Sequence, residues 1–171
     1  IWNKNANSKS TDFAISAICS ILKNAESLKQ APSELPIRNN LLKASTTAGL
    51  AFSNTATAAA HSMSYPLTIH YGMPHGIASS ISLIPLLEKN AEFIKDPLDR
   101  ICKNNELTYD ELKQTIKAIP QGVIPFTLKE WGVPKNQLLK LATESFTKGR
   151  MENNILDLTK DDVLMILKDI Y

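Results

Sequence analysis

Apolar residues recur every three or four positions over most of the chain, a spacing that places them on one face of a helix. Between Thr11 and Lys29 they are Phe13, Ala17, Ile21, Ala25 and Leu28. Pro32 and Pro36 end that segment. Pro36 also opens a second helix through Leu41, Leu42, Ala48 and Phe52, because a proline in the first turn forfeits no helical hydrogen bond. From Ala44 to Ser64 nearly every side chain is small. Small side chains let helices approach closely, so this stretch is expected to form the buried centre. Pro66 is expected to interrupt it. Tyr71-Gly72-Met73-Pro74 reads as a turn into a further helix with Pro74 in its first turn. That helix carries Ile77, Ile81, Ile84 and Leu87 inward and should kink at Pro85. Downstream, Thr108 and Glu111 form a capping box, Pro134 opens a helix that Gly149 closes, and Thr159 caps the last one. Only Val123-Ile124 hints at extended chain, and no pair of alternating runs flanks a hairpin turn. The pattern predicts an all-α fold, one compact multi-helix domain over residues 1–171 with about six to eight helices.

Composition narrows the function more than the fold. A chain of 171 residues with 43% hydrophobic and 21% charged residues suits one globular domain and excludes a disordered or disulfide-stapled one. A formal charge of +2, with no basic run interleaved with aromatics, argues against a nucleic-acid partner. Two cysteines, Cys19 and Cys102, build no disulfide framework. They suit a reducing, cytoplasmic setting. The opening Ile1-Trp2-Asn3 belongs to neither a signal sequence nor a membrane span, and a membrane partner is not expected. A start without Met reads as a cut, and a cut can divide a site.

The candidate chemistry is concentrated in one place. All three histidines, His61, His70 and His75, fall within 15 residues. His61 sits among alanines on a helix, and Pro74-His75-Gly76 puts a second imidazole at the start of the next. A turn between two helices can aim two such rings at one metal ion. The alternative is a pair of core histidines satisfied by backbone carbonyls. His70 reads as a loop residue without a role. Asp110-Glu111 and Asp161-Asp162 read as helix-start charges. Cys19, Cys102, Met63 and Met73 read as packing. No Gly-rich phosphate loop and no Gly-x-Ser-x-Gly elbow is present.

Three runs, Ala48-Gly49-Leu50-Ala51-Phe52-Ser53-Asn54, His61 through Thr68, and Tyr71-Gly72-Met73-Pro74-His75-Gly76, resemble the signature of the iron-containing (group III) alcohol dehydrogenases. Trp2-Asn3-Lys4-Asn5-Ala6, Gly149 through Asn154 and Leu158 through Asp162 extend the likeness to both ends. The resemblance implies a two-domain enzyme with a nucleotide-binding α/β domain and a helical metal-binding domain. This chain looks like the helical one, with the dinucleotide-binding domain absent. It implies His61 and His75 as ligands of a divalent metal, Fe2+ or Zn2+. An Asp-x-x-x-His motif, expected just before Ile1, would supply the rest. The implied reaction is hydride transfer between NAD or NADP, bound mainly by the absent domain, and a small alcohol or aldehyde whose oxygen the metal polarises.

Many members of that family carry another His four residues after the first of the late pair, suited to relay a proton. Tyr65 occupies that position here, and a phenol gives up its proton far less readily than an imidazole. The resemblance also places Phe52 in the substrate pocket, with core packing as the alternative. His61-x-x-Ser64-Tyr65-Pro66-Leu67-Thr68 looks more like the branch that reduces phosphonoacetaldehyde than like the ethanol, butanol or propanediol enzymes. Asn154-Ile155-Leu156 replaces the family's frequent Asn-Pro-Arg. The full-length enzyme is expected to be a homo-oligomer and the isolated chain inactive. Two other readings stand beside this one: a stand-alone helical binding or oligomerisation module, and a metal lyase of the dehydroquinate synthase type, which the interval from His61 to Pro74-His75-Gly76 fits less well.

Overall fold

The computed structural model describes residues Ile1–Tyr171. Nine α-helices account for the regular structure: α1 (Ser8–Gln30), α2 (Leu35–Ser53), α3 (Ala59–Tyr71), α4 (His75–Ser80), α5 (Leu83–Asn90), α6 (Lys95–Asn105), α7 (Tyr109–Ala118), α8 (Leu138–Glu144) and α9 (Lys160–Asp169). The all-α expectation holds. The sole β pairing is an isolated antiparallel bridge between Asn3 and Asn154. Val123 and Ile124 lie in a turn and a bend, with Val123 exposed.

The residues group into two compact units. The first holds Ile1, residues 5–55 and residues 94–123; the second holds residues 2–4, 56–93 and 124–171.

In the first unit, α1 packs against both α2 and α6. Two partners explain why its burial departs from a single stripe. Ile15, Ala17 and Cys19 are buried while Ile21 is exposed. From α6, Asn105 Nδ2 donates to Cys19 Sγ at 3.2 Å. Both cysteines are free thiols. Helix α2 starts where Pro36 placed it, with that proline in its first turn. Its small residues are not a buried centre: only Ala44 and Ala51 are buried, and Leu42, Leu50 and Phe52 are exposed. The small stretch becomes core only at Ala58, Ala59 and Ala60, in the second unit.

That second unit contains the main core, in which Met63, Leu67, Met73, Leu86, Leu141, Ile166 and Leu167 are almost fully enclosed. Helix α3 runs through Pro66 without a break. A mid-helix proline costs about 3 kcal/mol or more. Here the enclosure of Met63 and Leu67 on either side of Pro66 offsets that cost. Pro85 acts as expected in kind but more strongly: the chain divides into α4 and α5 around Ile81-Ser82, since the proline ring excludes a regular carbonyl four residues earlier. This division is one reason why the helix count exceeds eight. Pro74 precedes α4 as its cap and is not in its first turn. Gly149 does not close α8, which ends at Glu144; it lies in a later turn with φ +80°. His70 is likewise no loop residue. It sits in the last turn of α3, with Nε2 2.7 Å from Glu144 Oε2.

The predicted caps at Thr108 and Thr159 form as reciprocal boxes with Glu111 and Asp162, and Asn7 with Ser10 adds a third. Asp162 is also 2.7 Å from Lys89 Nζ. The ammonium of Lys89, followed by the hydroxyl and amide of Thr159, lowers the Asp162 pKa from 3.8 to about 2. Stability from a depressed carboxylate is present above its unfolded pKa and lost as pH falls through the folded one. Asp162→Asn should therefore lower the unfolding free energy by about 1 kcal/mol at pH 7. Urea melts should show that deficit shrinking between pH 4 and pH 2, and an undiminished deficit at pH 2 contradicts the assignment.

Gly72 ends α3 in the left-handed region, with φ +63°. A Cβ there would meet nothing within 4 Å, so a substitution tests backbone conformation alone. Gly72→Ala should cost about 1 kcal/mol in the same melts. No loss of stability would mean that the turn does not need glycine.

Candidate metal centre

The two histidines implied as ligands arrive from adjacent helices of the second unit. His61 occupies the third position of α3, and His75 is the first residue of α4. Three residues separate the helices. Gly72 reverses the chain with its left-handed cap, and Met73, wholly buried, anchors the turn. The outcome is an imidazole pair with ring centroids 5.3 Å apart and planes tilted by 58°.

Neither ring is tied to a backbone carbonyl, so the satisfied-core alternative does not describe the pair. His61 is half-buried and His75 exposed. Burial lowers the pKa of His61, and the neighbouring His75 and Arg150 lower it further. A neutral imidazole keeps a lone pair available to a cation.

Helix α3 is fixed at both ends. Near its start the buried Ser62 hydroxyl donates to Ser145 O and accepts from Thr147 N at 3.1 Å. Near its end His70 meets Glu144. Tyr65, one turn beyond His61, lies under a cation: Arg150 Cζ is 5.4 Å from its ring centroid. Arg150 Nη1 donates to Thr57 Oγ1 at 3.1 Å. The segment that carries Arg150 is itself stitched down. Asn153 Nδ2 donates to Thr57 O at 2.9 Å, Lys4 N to Asn153 O at 2.8 Å and Ile155 N to Trp2 O at 2.9 Å. The two ends singled out by sequence are thus hydrogen-bonded to each other. Asn154, at the point of departure from Asn-Pro-Arg, exchanges buried amide hydrogen bonds with Asn90 at 3.0 and 3.3 Å.

Phe52 belongs to α2 in the first unit and is half exposed. Sequence spacing marks Arg150 only as part of the closing segment. Its partner Tyr65 is far away in the chain, and no local pattern signals a contact of that kind.

Two imidazoles suit a divalent first-row metal in donor type but are too few to hold one tightly, since protein sites use three or four ligands. No cluster of three or more His, Cys, Asp or Glu side chains in the chain could complete such a site. The residues therefore fit part of a coordination shell.

Known proteins supply the context. The family model for the Fe-containing alcohol dehydrogenase family, C-terminal, matches residues 1–171. Among curated relatives, 1,3-propanediol dehydrogenase of Citrobacter freundii is 29% identical over 163 residues, covering 89% of this chain and 42% of that protein. Alcohol dehydrogenase 4 of Saccharomyces cerevisiae is 28% identical over 140 residues, covering 78% and 37%. The chain thus spans less than half the length of these relatives. Its fold is shared with a solved 1,3-propanediol oxidoreductase at a TM-score of 0.89 and 23% identity, over 99% of this chain and 47% of that one. A sulfoacetaldehyde reductase from Bifidobacterium kashiwanohense, in complex with NAD+, superposes at 0.84 and 23%, over 99% and 46%. With its whole length matched by that family model, the chain belongs to the Fe-containing alcohol dehydrogenase family and corresponds to its C-terminal part.

Proposed function

We propose that this chain is the helical, metal-binding part of an NAD(P)-linked alcohol dehydrogenase or aldehyde reductase, acting on a small alcohol or aldehyde. The observation that carries this reading is the His61 and His75 pair, two rings 5.3 Å apart with no third ligand in the chain. A half shell of this kind suits a metal completed by residues outside the sequence, for which the Asp-x-x-x-His motif is the proposed source. Fe2+ and Zn2+ both accept such a donor set. NAD or NADP would be held mainly by a separate dinucleotide-binding domain.

When bound, the metal supplies Lewis acidity toward the substrate oxygen. The chain's own residues have simpler tasks. His61 and His75 would hold that ion, the pKa of His61 being lowered by burial and then by the neighbouring His75 and Arg150. Tyr65, on the same face of α3 one turn later, holds a proton near the reacting oxygen through its hydroxyl. The local His61-to-Thr68 pattern favours a phosphonoacetaldehyde-like substrate. We read the full-length enzyme as a cytoplasmic homo-oligomer from the family resemblance alone. Separately, no helix here is long and apolar enough to cross a membrane.

Two measurements test the reading. Zn2+ titrated into the chain, followed by NMR at the histidine C2 protons, should perturb His61 and His75 together. His61→Ala and His75→Ala should each weaken binding by roughly tenfold or more, as loss of a ligand does. Equal affinity in both variants removes them from the ligand set. The isolated chain should also show no alcohol-dependent reduction of NAD or NADP, and turnover by it alone would refute its dependence on residues elsewhere.

A further inference from the structure

We infer that Arg150 is an anion-recognising, specificity-determining residue, so that the substrate taken at the His61 and His75 centre carries an oxyanion group besides its alcohol or aldehyde. The inference rests on the proposed function for the meaning of "substrate", but its structural grounds are separate.

The first ground is charge. Arg150 is half-buried, and no carboxylate pairs with its guanidinium, whose side-chain partners are the Thr57 hydroxyl and the Tyr65 ring. The nearest acid in sequence, Glu152, is already engaged. Its carboxylate accepts the backbone amides of Gly149 and Arg150, contacts that lower its pKa. A partly desolvated cation without a counter-ion is unfavourable unless something anionic joins it.

The second ground is place. Arg150 lies against Tyr65, one helical turn from His61, so the guanidinium, the phenol and the imidazole pair belong to one neighbourhood. A bound molecule long enough to reach from the imidazoles to Arg150 would present its reacting oxygen at one end and its anion at the other.

The third ground is rigidity. The cation is held by Thr57, while Asn153 fastens its segment to the Thr57 carbonyl and Lys4 fastens Asn153. An arginine fixed in this way loses less freedom when its remaining donors take up an oxyanion in a two-pronged grip. A flexible surface lysine offers neither the geometry nor the fixation.

The test uses the metal-free chain with methylphosphonate, acetate and ethanol as probes, read by NMR at Arg150 Nε–Hε and the Tyr65 ring. Either anion should bind saturably at these two positions, at least about tenfold tighter than ethanol. Which anion binds more tightly distinguishes a tetrahedral phosphonate from a planar carboxylate. Arg150→Ala should abolish the shifts at Tyr65. Arg150→Lys, which keeps the charge and is the safer variant for folding, should weaken binding several-fold. Anion affinity unchanged in both variants, or ethanol binding as well as the anions, overturns the inference. Zn2+ titration of the same samples separates the two claims. Anion binding without a Zn2+ response at His61 and His75 defeats the metal assignment and leaves Arg150 standing, and the reverse result defeats Arg150 alone.

Discussion

The buried hydroxyl of Ser62 is the contact on which the candidate centre depends. It sits in the first turn of α3, next to His61, and holds the chain just beyond α8 by donating to Ser145 O and accepting from Thr147 N. Buried polar groups must be paired, and a hydroxyl that satisfies two backbone groups at once resists removal because both would be stranded. This single side chain fixes the start of α3 relative to residues 145–147. From Thr147 the chain needs only one more turn to deliver Arg150 to Tyr65, with Arg150 N bonded to Thr147 O. The imidazole and the guanidinium thus take their positions from the same anchor.

The chemistry around that anchor is one-sided. Two imidazoles, a phenol and an arginine come together without an acid, although the chain as a whole is nearly neutral. Elsewhere in the second unit carboxylates are used for structure: Asp162 caps α9 and pairs with Lys89, Glu144 meets His70, and Glu152 closes a turn. These acids bind backbone amides and cations, so this chain's own share of the centre consists of donors and neutral ligands.

Much of this was readable from sequence where the cause is local. The caps at Thr108 and Thr159, the start of α2 at Pro36 and the turn at Gly72 each depend on residues within one helical turn. His61 lies in the first turn of α3 and His75 opens α4, so their closeness depends on the chain returning along α3 after Gly72. Readings failed where distant packing decides. Pro66 remains helical because Met63 and Leu67 are enclosed by other elements, and α2 leaves its small residues largely exposed because burial depends on what packs against a helix. His70 looked like a loop residue until Glu144, from α8, gave it a partner. Arg150 was invisible for the same reason.

The bridge between Asn3 and Asn154 has a mechanical consequence. Two backbone hydrogen bonds join residues 2–4 to residues 153–155, and Asn153 is in turn fastened to the carbonyl of Thr57, whose hydroxyl receives Arg150. Hydrogen bonds of this length transmit displacement instead of absorbing it. A displacement of residues 2–4 is therefore coupled to the guanidinium through a short run of hydrogen bonds, and with it to the spacing between the cation and the imidazole pair.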